Sequence, residues 1–295
     1  MTSSLPRPKV IHAPDALRRE VEALRRQGKT VGLVPTMGAL HAGHLSLVEA
    51  AFAECDVCVA TIFVNPSQFG PGEDFAKYPR TLDADLDALA SLGVQLAFVP
   101  EAEAVYGTDH ATWVTVGSVA EPLEGECRPG HFRGVATIVL KLFNMAGADI
   151  AYFGQKDYQQ AQVIRRMVAD LDVPIRVRVC PIVREPDGLA MSSRNAYLTP
   201  EERRRAVSLF ESLTAAEAMI ADGVTESAEI RARIEQILAE RGQAEIEYVA
   251  IADPASLKPV ELIAGEVVIA LAVRIGTTRL IDNFLVRPPS DRATM

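Results

Sequence analysis

Residues 30–44, TVGLVPTMGALHAGH, contain the turn that decides the fold. The apolar run 30–35 predicts a β-strand that ends at Pro35, and apolar residues at helical spacing follow from residue 45 to residue 52. The stretch therefore predicts a strand, a turn with two glycines and the start of a helix. Backbone N–H groups and the helix dipole make such a corner suitable for binding phosphate, and glycine lets the backbone approach a ligand closely.

Two histidines, His41 and His44, stand at the entrance to this helix. Side chains three residues apart share one side of a helical turn, so both imidazoles can reach one anion. The pair is equally compatible with ordinary residues at a helix start. Zinc is less favoured, because the helical protease motif spaces its histidines four apart with Glu after the first, and Ala42 stands there in this chain.

The composition predicts a globular protein of one large or two smaller domains. The chain has 295 residues, of which 48% are hydrophobic and 23% are charged. Its net charge of −9 argues against a protein that coats nucleic acid or anionic membrane, and binding an anionic substrate would require locally concentrated positive charge. The amino-terminal residues lack the apolar core of a secretory signal, and no apolar run reaches membrane-spanning length, so we expect a cytoplasmic protein.

The four cysteines do not suggest a disulfide framework. Cys55 and Cys58 form one C-x-x-C, which is compatible with redox chemistry or with half of a zinc site. Cys58 lies in the apolar run VCVATIFV and no second close pair follows, so buried structural thiols are favoured. Such thiols fit a reducing compartment.

Strand and helix patterns alternate over the first 180 residues. Strands are predicted at 30–35, 57–64, 94–99, 149–153 and 175–179, and helices at 14–27, 82–92, 135–146 and 158–169. This alternation predicts right-handed crossovers and an α/β fold with a Rossmann-like, doubly wound parallel sheet. Because functional loops follow the carboxyl ends of such strands, we expect His41, His44, Asn65 and Gln68 to share one edge of the sheet.

Two further segments carry groups that suit anions. Arg128, His131 and Arg133 concentrate basic residues in an acidic protein, although a surface connection is the alternative. Residues 154–157, Gly-Gln-Lys-Asp, open a helix beyond a predicted strand, which repeats the logic of the first turn. Lys156 is therefore expected to meet a ligand rather than only solvent.

Residues 192–194, Ser-Ser-Arg, combine two hydroxyls with a guanidinium, and these groups suit phosphate oxygens. Serines also cap helices. The next predicted helix begins near Thr199 and Pro200 and has its own cap, so we predict that the serines are free for a ligand.

The chain changes character after residue 199. Two long helices, 200–221 and 225–241, and three strands, 245–251, 266–274 and 278–286, predict a smaller α/β domain. We place the boundary near Pro181, which gives a catalytic domain at 1–181 and a carboxyl-terminal domain at 182–295 that closes over the site. The tail 287–295 is expected to be frayed.

Six motifs carry a family resemblance. They are PTMGALHAGH at 35–44, FVNPSQF at 63–69, YPRTLDADL at 78–86, RPGHFRGV at 128–135, FGQKDYQQ at 153–160 and VREPDGLAMSSRN at 183–195, with weaker similarity onward to TTRLIDN at 277–283. Together, in this order, they resemble the pantoate–β-alanine ligases (pantothenate synthetases) of the HIGH-motif nucleotidyltransferase superfamily. The resemblance implies that (R)-pantoate attacks the α-phosphorus of ATP, giving pantoyl adenylate and pyrophosphate. The amine of β-alanine then attacks the adenylate and releases pantothenate and AMP.

The resemblance also implies roles for individual residues. The implied ATP-binding positions are Met37, Gly38, Ala39, Leu40, His41, Ala42, Gly43, His44, Gly154, Gln155, Lys156, Asp157, Val183, Met191, Ser192, Ser193 and Arg194. The implied catalytic positions are His41, His44, Lys156, Ser192 and Arg194, with His44 in the place of the proton donor. The implied substrate-binding positions are Asn65, Gln68, Arg128 and Gln160, and neutral glutamine amides can bond pantoate hydroxyls without repelling its carboxylate.

The ATP chemistry implies Mg²⁺, because the metal neutralises polyphosphate oxygens. The resemblance associates Asp85 with the metal, although Ala84 and Ala88 stand where some relatives have polar groups. For Asp83, Asp85 and Asp87 the alternative is a solvated acidic helix turn. The family is typically dimeric, so we expect a homodimer that binds small-molecule substrates and neither nucleic acid nor membrane.

Three other functions stay open at this point. An adenylyltransferase of the same superfamily would leave AMP on its product, and a degenerate regulatory module would bind ATP without turnover. A redox protein would depend on Cys55 and Cys58. Gln68, Gln160 and the loop 191–194 favour the ligase, and release of free AMP would exclude the transferase.

Overall fold

The computed structural model describes residues 5–289, so most of the tail predicted to be frayed lies outside the described residues. Of these, residues 5–155 together with Gln159–Ile182 form one compact unit. Lys156–Tyr158 and residues 183–289 form a second. Within residues 5–289 we find no helix with the length and apolar character needed to cross a bilayer.

Six parallel strands form the sheet of the first unit. They are β1 (Lys9–Ile11), β2 (Val31–Thr36), β3 (Val57–Ile62), β4 (Leu96–Phe98), β5 (Ile150–Gly154) and β6 (Arg176–Cys180). Their order across the sheet is β1-β4-β3-β2-β5-β6, and every pairing is parallel. The predicted α/β class with a parallel sheet is confirmed. The sequence analysis did not predict β1, because its three residues lack the longer apolar stretch that marks the equally short β4 at 94–99.

Helices follow these strands along the chain. They are α1 (Pro14–Arg26), α2 (Ala42–Glu54), α3 (Leu82–Ser91), α4 (Ala102–Tyr106), α5 (Glu124–Cys127), α6 (His131–Ala146) and α7 (Tyr158–Asp170). The predicted start of α6 at residue 135 is wrong by one turn. Residues 131–134 look like a polar loop in the sequence, yet His131 and Phe132 are buried on the helix.

The pairing of β2 with β3 positions two loops side by side. The register runs without a break from Val31 opposite Val57 to Thr36 opposite Ile62. At the carboxyl ends, the Thr36 hydroxyl donates to the Thr61 carbonyl oxygen at 2.6 Å. The loops that follow the two strands therefore start at the same edge of the sheet.

Helix α2 packs closely on this sheet. A Cβ atom on Gly32 of β2 would lie 3.1–3.3 Å from Tyr152, Ala51 and Cys55, so the glycine permits the close approach. Cys55 and Cys58 are buried and not disulfide-bonded. Burial raises the pKa of both thiols, which disfavours the thiolate that redox chemistry needs. The prediction of buried structural thiols is confirmed.

The second unit combines helices with an antiparallel sheet. Its helices are α8 (Pro200–Ala206), α9 (Ser208–Ala221) and α10 (Ser227–Ile237), and its strands are β7 (Glu245–Ala252), β8 (Val267–Ile275) and β9 (Thr278–Val286), ordered β7-β8-β9. Fully buried residues such as Leu213, Ile234, Ile251 and Leu271 form its core.

Two helix predictions for this unit are wrong in their extent. The predicted helix 200–221 is interrupted at Val207, although the backbone there keeps helical angles (φ −61°, ψ −24°). The predicted helix 225–241 ends at Ile237 and continues as a wider π-helical turn, Leu238–Gly242. The predicted cap of α8 is present, because the Thr199 hydroxyl and the Glu202 side chain form a capping box.

Candidate active site

A buried carboxylate holds the turn that follows β2. Asp85, on α3, is 2% exposed and accepts hydrogen bonds from the backbone N–H of Leu40 at 2.8 Å and of Ala39 at 3.1 Å. The Thr81 hydroxyl donates to the same carboxylate at 3.2 Å. Gly38 has φ +83° and Ala39 has φ +51°, a region that L-residues rarely adopt. The carboxylate therefore stabilises the left-handed backbone at Ala39, which an alanine alone would not favour.

The neighbouring aspartates have a different environment. Asp83 and Asp87 are exposed and form ion pairs with Arg7, with nitrogen–oxygen distances of 3.0 and 2.6 Å. The solvated acidic turn considered from the sequence is thus correct for these two residues and wrong for Asp85. No sequence signal distinguishes the buried aspartate from its two exposed neighbours.

These contacts bear on the predicted metal role of Asp85. Both of its oxygens already accept hydrogen bonds, and within residues 5–289 no group of three His, Cys, Asp or Glu side chains is arranged to hold a metal. The described residues therefore do not fit a Mg²⁺ ion held by the protein, and the metal role of Asp85 stays a prediction that this geometry disfavours.

The two histidines form the start of α2. His41 is the N-cap, and its Nδ1 accepts from the Gly43 N–H at 3.1 Å, while Nδ1 of His44 accepts from the His41 N–H at 3.4 Å. The ring centroids are 4.1 Å apart. An imidazole that accepts at Nδ1 carries its proton on Nε2 when neutral. The local backbone thus fixes both rings as Nε2–H donors beside the positive end of a helix dipole.

The loop after β3 lies against this turn. Gln68 Nε2 is 3.1 Å from Met37 Sδ, and Gln68 Oε1 accepts from Asn65 Nδ2 at 3.0 Å. Asn65 is 1% exposed, and its Oδ1 accepts from the Ser67 backbone and from the Ser67 and Tyr106 hydroxyls. The structure therefore brings the loop of Asn65 and Gln68 to the same edge as the turn that leads to His41 and His44, through the contact of Gln68 with Met37. It gives Asn65 a structural role, so its predicted substrate contact stays a prediction.

Helix α6 approaches the same loop at Gly134. A Cβ atom there would lie 2.2 Å from the Ser67 carbonyl oxygen, so only glycine fits. Asn65 Nδ2 also reaches the Gly134 carbonyl oxygen at 3.4 Å. This contact sets the position of Gln68, which is one residue further along the chain.

The three basic residues of the segment 128–133 have protein partners in the structure. Arg128 binds Glu73 through two hydrogen bonds of 2.8 Å, and its Nη1 lies 3.1 Å from His131 Nε2. The Arg133 guanidinium lies over the Trp113 ring at 4.5 Å. Arg128 is thus part of a partly buried ion pair, and its predicted contact with substrate stays a prediction.

Burial and charge shift the pKa values in this cluster. Burial, assisted by the charge of Arg128, lowers the pKa of His131 to about 4. Burial alone would raise the pKa of Glu73, but the hydrogen bonds and charge of Arg128 lower it to about 2. His131 is therefore neutral near pH 7, and its Nδ1 donates to the Gln68 carbonyl oxygen at 2.8 Å.

Two adjacent glutamines on α7 differ in their contacts. Gln159 is buried, and its amide bonds the backbone of Val119, Pro122 and Glu124 at 2.6–3.0 Å. Gln160 is half-buried, and its side chain makes no such contact among the described residues. The structure therefore separates a structural glutamine from the one predicted to bind pantoate.

The remaining predicted ATP-binding residues are divided between the units. Gly154 ends β5, and Gln155, Lys156 and Asp157 form the short 3-10 turn before α7, but only Lys156 and Asp157 belong to the second unit. There, Asn283 Nδ2 donates to the Lys156 carbonyl oxygen at 2.9 Å.

The loop 183–195 is a short hairpin in the second unit. The Met191 N–H donates to the Val183 carbonyl oxygen at 3.0 Å, and Ser192 follows directly. Ser192 caps the 3-10 turn Ser193–Tyr197, because its hydroxyl oxygen accepts from the Arg194 N–H at 3.2 Å. The prediction that this serine has no capping role is wrong. The sequence pattern did not indicate the 3-10 turn that the serine caps. Its hydroxyl proton is still available to donate to another oxygen.

Comparisons with known proteins agree with these features. The family model for pantoate-beta-alanine ligase matches residues 9–285. A pantothenate synthetase of Moorella thermoacetica is 54% identical over 271 residues, which are 92% of this chain and 96% of that protein. One from Rhizobium johnstonii is 52% identical over 278 residues, with 94% and 92% covered.

Two solved structures are similar along almost their whole length. The crystal structure of pantothenate synthetase from Thermus thermophilus has a TM-score of 0.90 and 45% identity, covering 95% of this chain and 100% of that one. The ligase from Francisella tularensis, crystallised with beta-gamma ATP and beta-alanine, has a TM-score of 0.79 and 35% identity, covering 94% and 97%.

Proposed function

The chain belongs to the pantoate–β-alanine ligase family, and we propose that it condenses (R)-pantoate with β-alanine, using ATP and releasing AMP and pyrophosphate. The match spans both units. The Francisella tularensis relative was crystallised with an ATP species and β-alanine, which supports the same two ligands here. The hydrogen-bonded histidine pair at the start of α2 is the observation that carries the proposal, because it presents oriented donors for phosphate oxygens.

In the first step, the pantoate carboxylate displaces pyrophosphate from the α-phosphorus of ATP. Negative charge then grows on the oxygens of the α-phosphate and of the departing pyrophosphate. The Nε2–H groups of His41 and His44 would stabilise this charge, with His44 as the proton donor to the leaving group. Preorganised donors lower the barrier because they need no reorientation during the reaction. The second step needs the β-alanine amine as nucleophile, and no covalent enzyme intermediate is required.

We assign the remaining ATP contacts through the family motifs. The turn from Met37 to His44 would follow the phosphates, and the segments 154–157 and 183–194 would contact ribose, adenine and phosphate. Lys156, Ser192 and Arg194 would add positive charge and hydroxyl donors. The 3-10 cap formed by Ser192 supports this role, because it holds the Arg194 backbone in place.

Gln68 and Gln160 are the proposed pantoate contacts. The neighbouring loop geometry fixes Gln68, whereas the Gln160 amide is not used by the backbone as Gln159 is. Arg128 would act indirectly, since its guanidinium is bound to Glu73. We propose that Mg²⁺ accompanies ATP through the phosphate oxygens, without a protein cage. We also propose that the protein is cytoplasmic and forms a homodimer. The carboxyl-terminal domain, residues 182–295, is proposed to close over the site.

Isotope exchange without β-alanine tests the first step directly. The protein would be incubated with Mg-ATP, (R)-pantoate and labelled pyrophosphate, and label returning to ATP would be measured. Exchange that depends on pantoate would support a reversible acyl-adenylate step, and added β-alanine should then give pantothenate and free AMP. Protein that binds ATP but shows no exchange would contradict the proposal and favour another acceptor or a silent nucleotide-binding module.

A further inference from the structure

The motif at residues 277–283 has no part in the mechanism above. Two of its residues nevertheless contact the segments of the second unit that carry proposed ATP ligands: Asp282 contacts the loop 183–195, and Asn283 contacts Lys156. Asp282 and Asn283 are consecutive on β9, and the regular β8–β9 pairing turns their side chains to opposite faces of the sheet. We propose that this pair positions Lys156 and the segment 192–194 for ATP. The inference rests on the proposed function.

Asp282 fixes the hairpin through one arginine. Its carboxylate binds Arg184 Nη1 and Nη2 at 2.7 and 2.9 Å, and its side chain is fully buried. The guanidinium also lies about 5 Å from the centroids of the Phe210 and Phe284 rings. A two-point bond between a buried carboxylate and a partly buried guanidinium restricts the orientation of the arginine, and the carboxylate alone would be left without compensation.

Arg184 in turn holds the hairpin itself. Its Nη1 donates to the Gly188 carbonyl oxygen at 2.9 Å, and its backbone bridges to Ala190. A Cβ atom on Gly188 would lie 2.0 Å from Phe210, so the turn fits tightly against α9. The hairpin leads directly into Ser192, which makes Arg184 the link between the buried carboxylate and the proposed phosphate ligands.

Asn283 fixes the other segment. Its Nδ2 donates to the Lys156 carbonyl oxygen at 2.9 Å. Two residues later, the Tyr158 hydroxyl donates to the Pro254 carbonyl oxygen at 2.9 Å. These two bonds attach Lys156–Tyr158 to the second unit, and the first of them sets the peptide plane from which the Lys156 side chain leaves.

If Asn283 only stabilises the fold, its replacement should leave the ATP affinity of the folded protein unchanged. An isosteric substitution is therefore the sharpest test of whether Asn283 positions Lys156. Asn283→Asp keeps the shape but removes the N–H donor, and Asn283→Ala removes the whole amide. If Asn283 positions Lys156, both variants should weaken ATP binding about tenfold and leave the KM for pantoate within about twofold. Calorimetry with ATP alone and steady-state kinetics provide the two readouts. Should Asn283→Ala fail to fold, Asn283→Asp carries the test.

The control variant is Glu247→Gln. Glu247 bonds Arg274 and Arg279 at 2.9 and 2.7 Å on the same sheet, so its loss should lower stability without changing ATP binding. A mutant cycle with Lys156→Ala separates positioning from stabilisation. The Asn283 change should cost little further ATP affinity once Lys156 is absent, because the two residues act through one contact.

A parallel cycle tests the hairpin. Arg184→Lys keeps the charge but loses the two-point bond, so it should reduce ATP affinity in the presence of Arg194 and much less in an Arg194→Ala background. Folded Asn283 variants with normal ATP affinity, or additive effects in both cycles, would overturn the inference. Because ATP binding is measured without pantoate, failure of the exchange assay in the unmodified protein is a separate result that concerns only the proposed reaction.

Discussion

The two proposed phosphate-binding segments are both held by buried carboxylates, but through different groups. Asp85 bonds the backbone N–H groups of the turn after β2, whereas Asp282 bonds the side chain of Arg184. A carboxylate on backbone amides fixes the main chain whatever side chains the turn carries. A carboxylate on a guanidinium fixes its loop only while that arginine is present, so the second segment should tolerate less change at its contact residue.

The largest expected effect lies at the first segment. His44→Ala removes an Nε2–H donor where charge develops, so kcat should fall on the order of a hundredfold or more, with less change in substrate binding. Ser192→Ala, in the second segment, should have a smaller effect because it removes a neutral hydroxyl, whose contact in the structure is the cap on the Arg194 N–H. Steady-state kinetics of both variants would check this order, and near-normal turnover of His44→Ala would refute the assigned role.

Breaking the backbone anchor comes next. Asp85→Asn keeps the volume but turns an amide donor toward one of the two N–H groups, so unfolding free energy should drop by about 1–3 kcal/mol. The rate of pantoate-dependent exchange should fall about tenfold as the turn loosens. Thr81→Val is the matched control, since it removes the neighbouring hydroxyl and leaves both N–H contacts. Equal behaviour of the two variants would contradict the anchoring role.

A glycine pair sharpens the description of the second segment. Gly188 and Gly223 both have φ +94°, but a Cβ atom would meet Phe210 at 2.0 Å in the first case and nothing within 4 Å in the second. Gly223→Ala should therefore cost about 1–2 kcal/mol from backbone strain alone. Gly188→Ala should cost about 1–3 kcal/mol more because Phe210 must move. Urea unfolding measures the loss of unfolding free energy in both variants. Equal losses would show that the Phe210 side chain moves aside at no cost.

Adjacent glutamines allow a comparison within one helix turn. Gln160→Ala should raise the KM for pantoate about tenfold at little cost in stability, because its amide makes no backbone contact within residues 5–289. Gln159→Ala should instead lower stability by about 1–3 kcal/mol, since three backbone groups lose their partner. A fall in ATP affinity for Gln160→Ala would mean that the pantoate pocket is assigned to the wrong residues.

The smallest expected effect is the change that Glu73→Gln makes to the acid sensitivity of the first unit. His131 and Glu73 of the first unit have pKa values lowered to about 4 and about 2, so the unfolded chain binds protons before the folded state does. Their stabilisation is complete above about pH 6.5 and is lost as the pH falls toward 2. Glu73→Gln should flatten the part of this decline below about pH 4.5. Unfolding followed by spectroscopy from pH 7 to pH 3 would show it, and an unchanged slope would contradict the ion pair.

Much of the fold was predictable because its signals are local. The buried strands, the turn after β2 and the Thr199 cap all follow from apolar runs, glycines and capping residues within a few positions. The motifs likewise identified the residues at the start of α2. What they could not show is which of three aspartates is buried, because Asp85 bonds the Ala39–Leu40 backbone and its two neighbours bond Arg7 across more than 40 positions.

Long-range pairing also explains the errors at the candidate site. The sequence shows Arg128 and His131 as neighbouring basic residues, but it does not show that the Glu73 carboxylate and the Gln68 carbonyl oxygen bind them from a distant segment. Ser192 was predicted to be free for a ligand because the 3-10 turn that it caps has no periodic sequence pattern. Arg184 and Asp282 are separated by 98 positions, so no spacing rule could connect them.

The grouping of Lys156–Tyr158 with the second unit has a consequence for building hybrid proteins. A graft that exchanges only the residues after Ile182 between two relatives would separate this tripeptide from the β9 strand that bonds it. Such a hybrid would combine Lys156 of one relative with Asn283 of the other. Its ATP affinity would show whether the contact between the two residues is preserved. The second unit is therefore discontinuous in sequence, and an exchange of that unit between relatives must include residues 156–158.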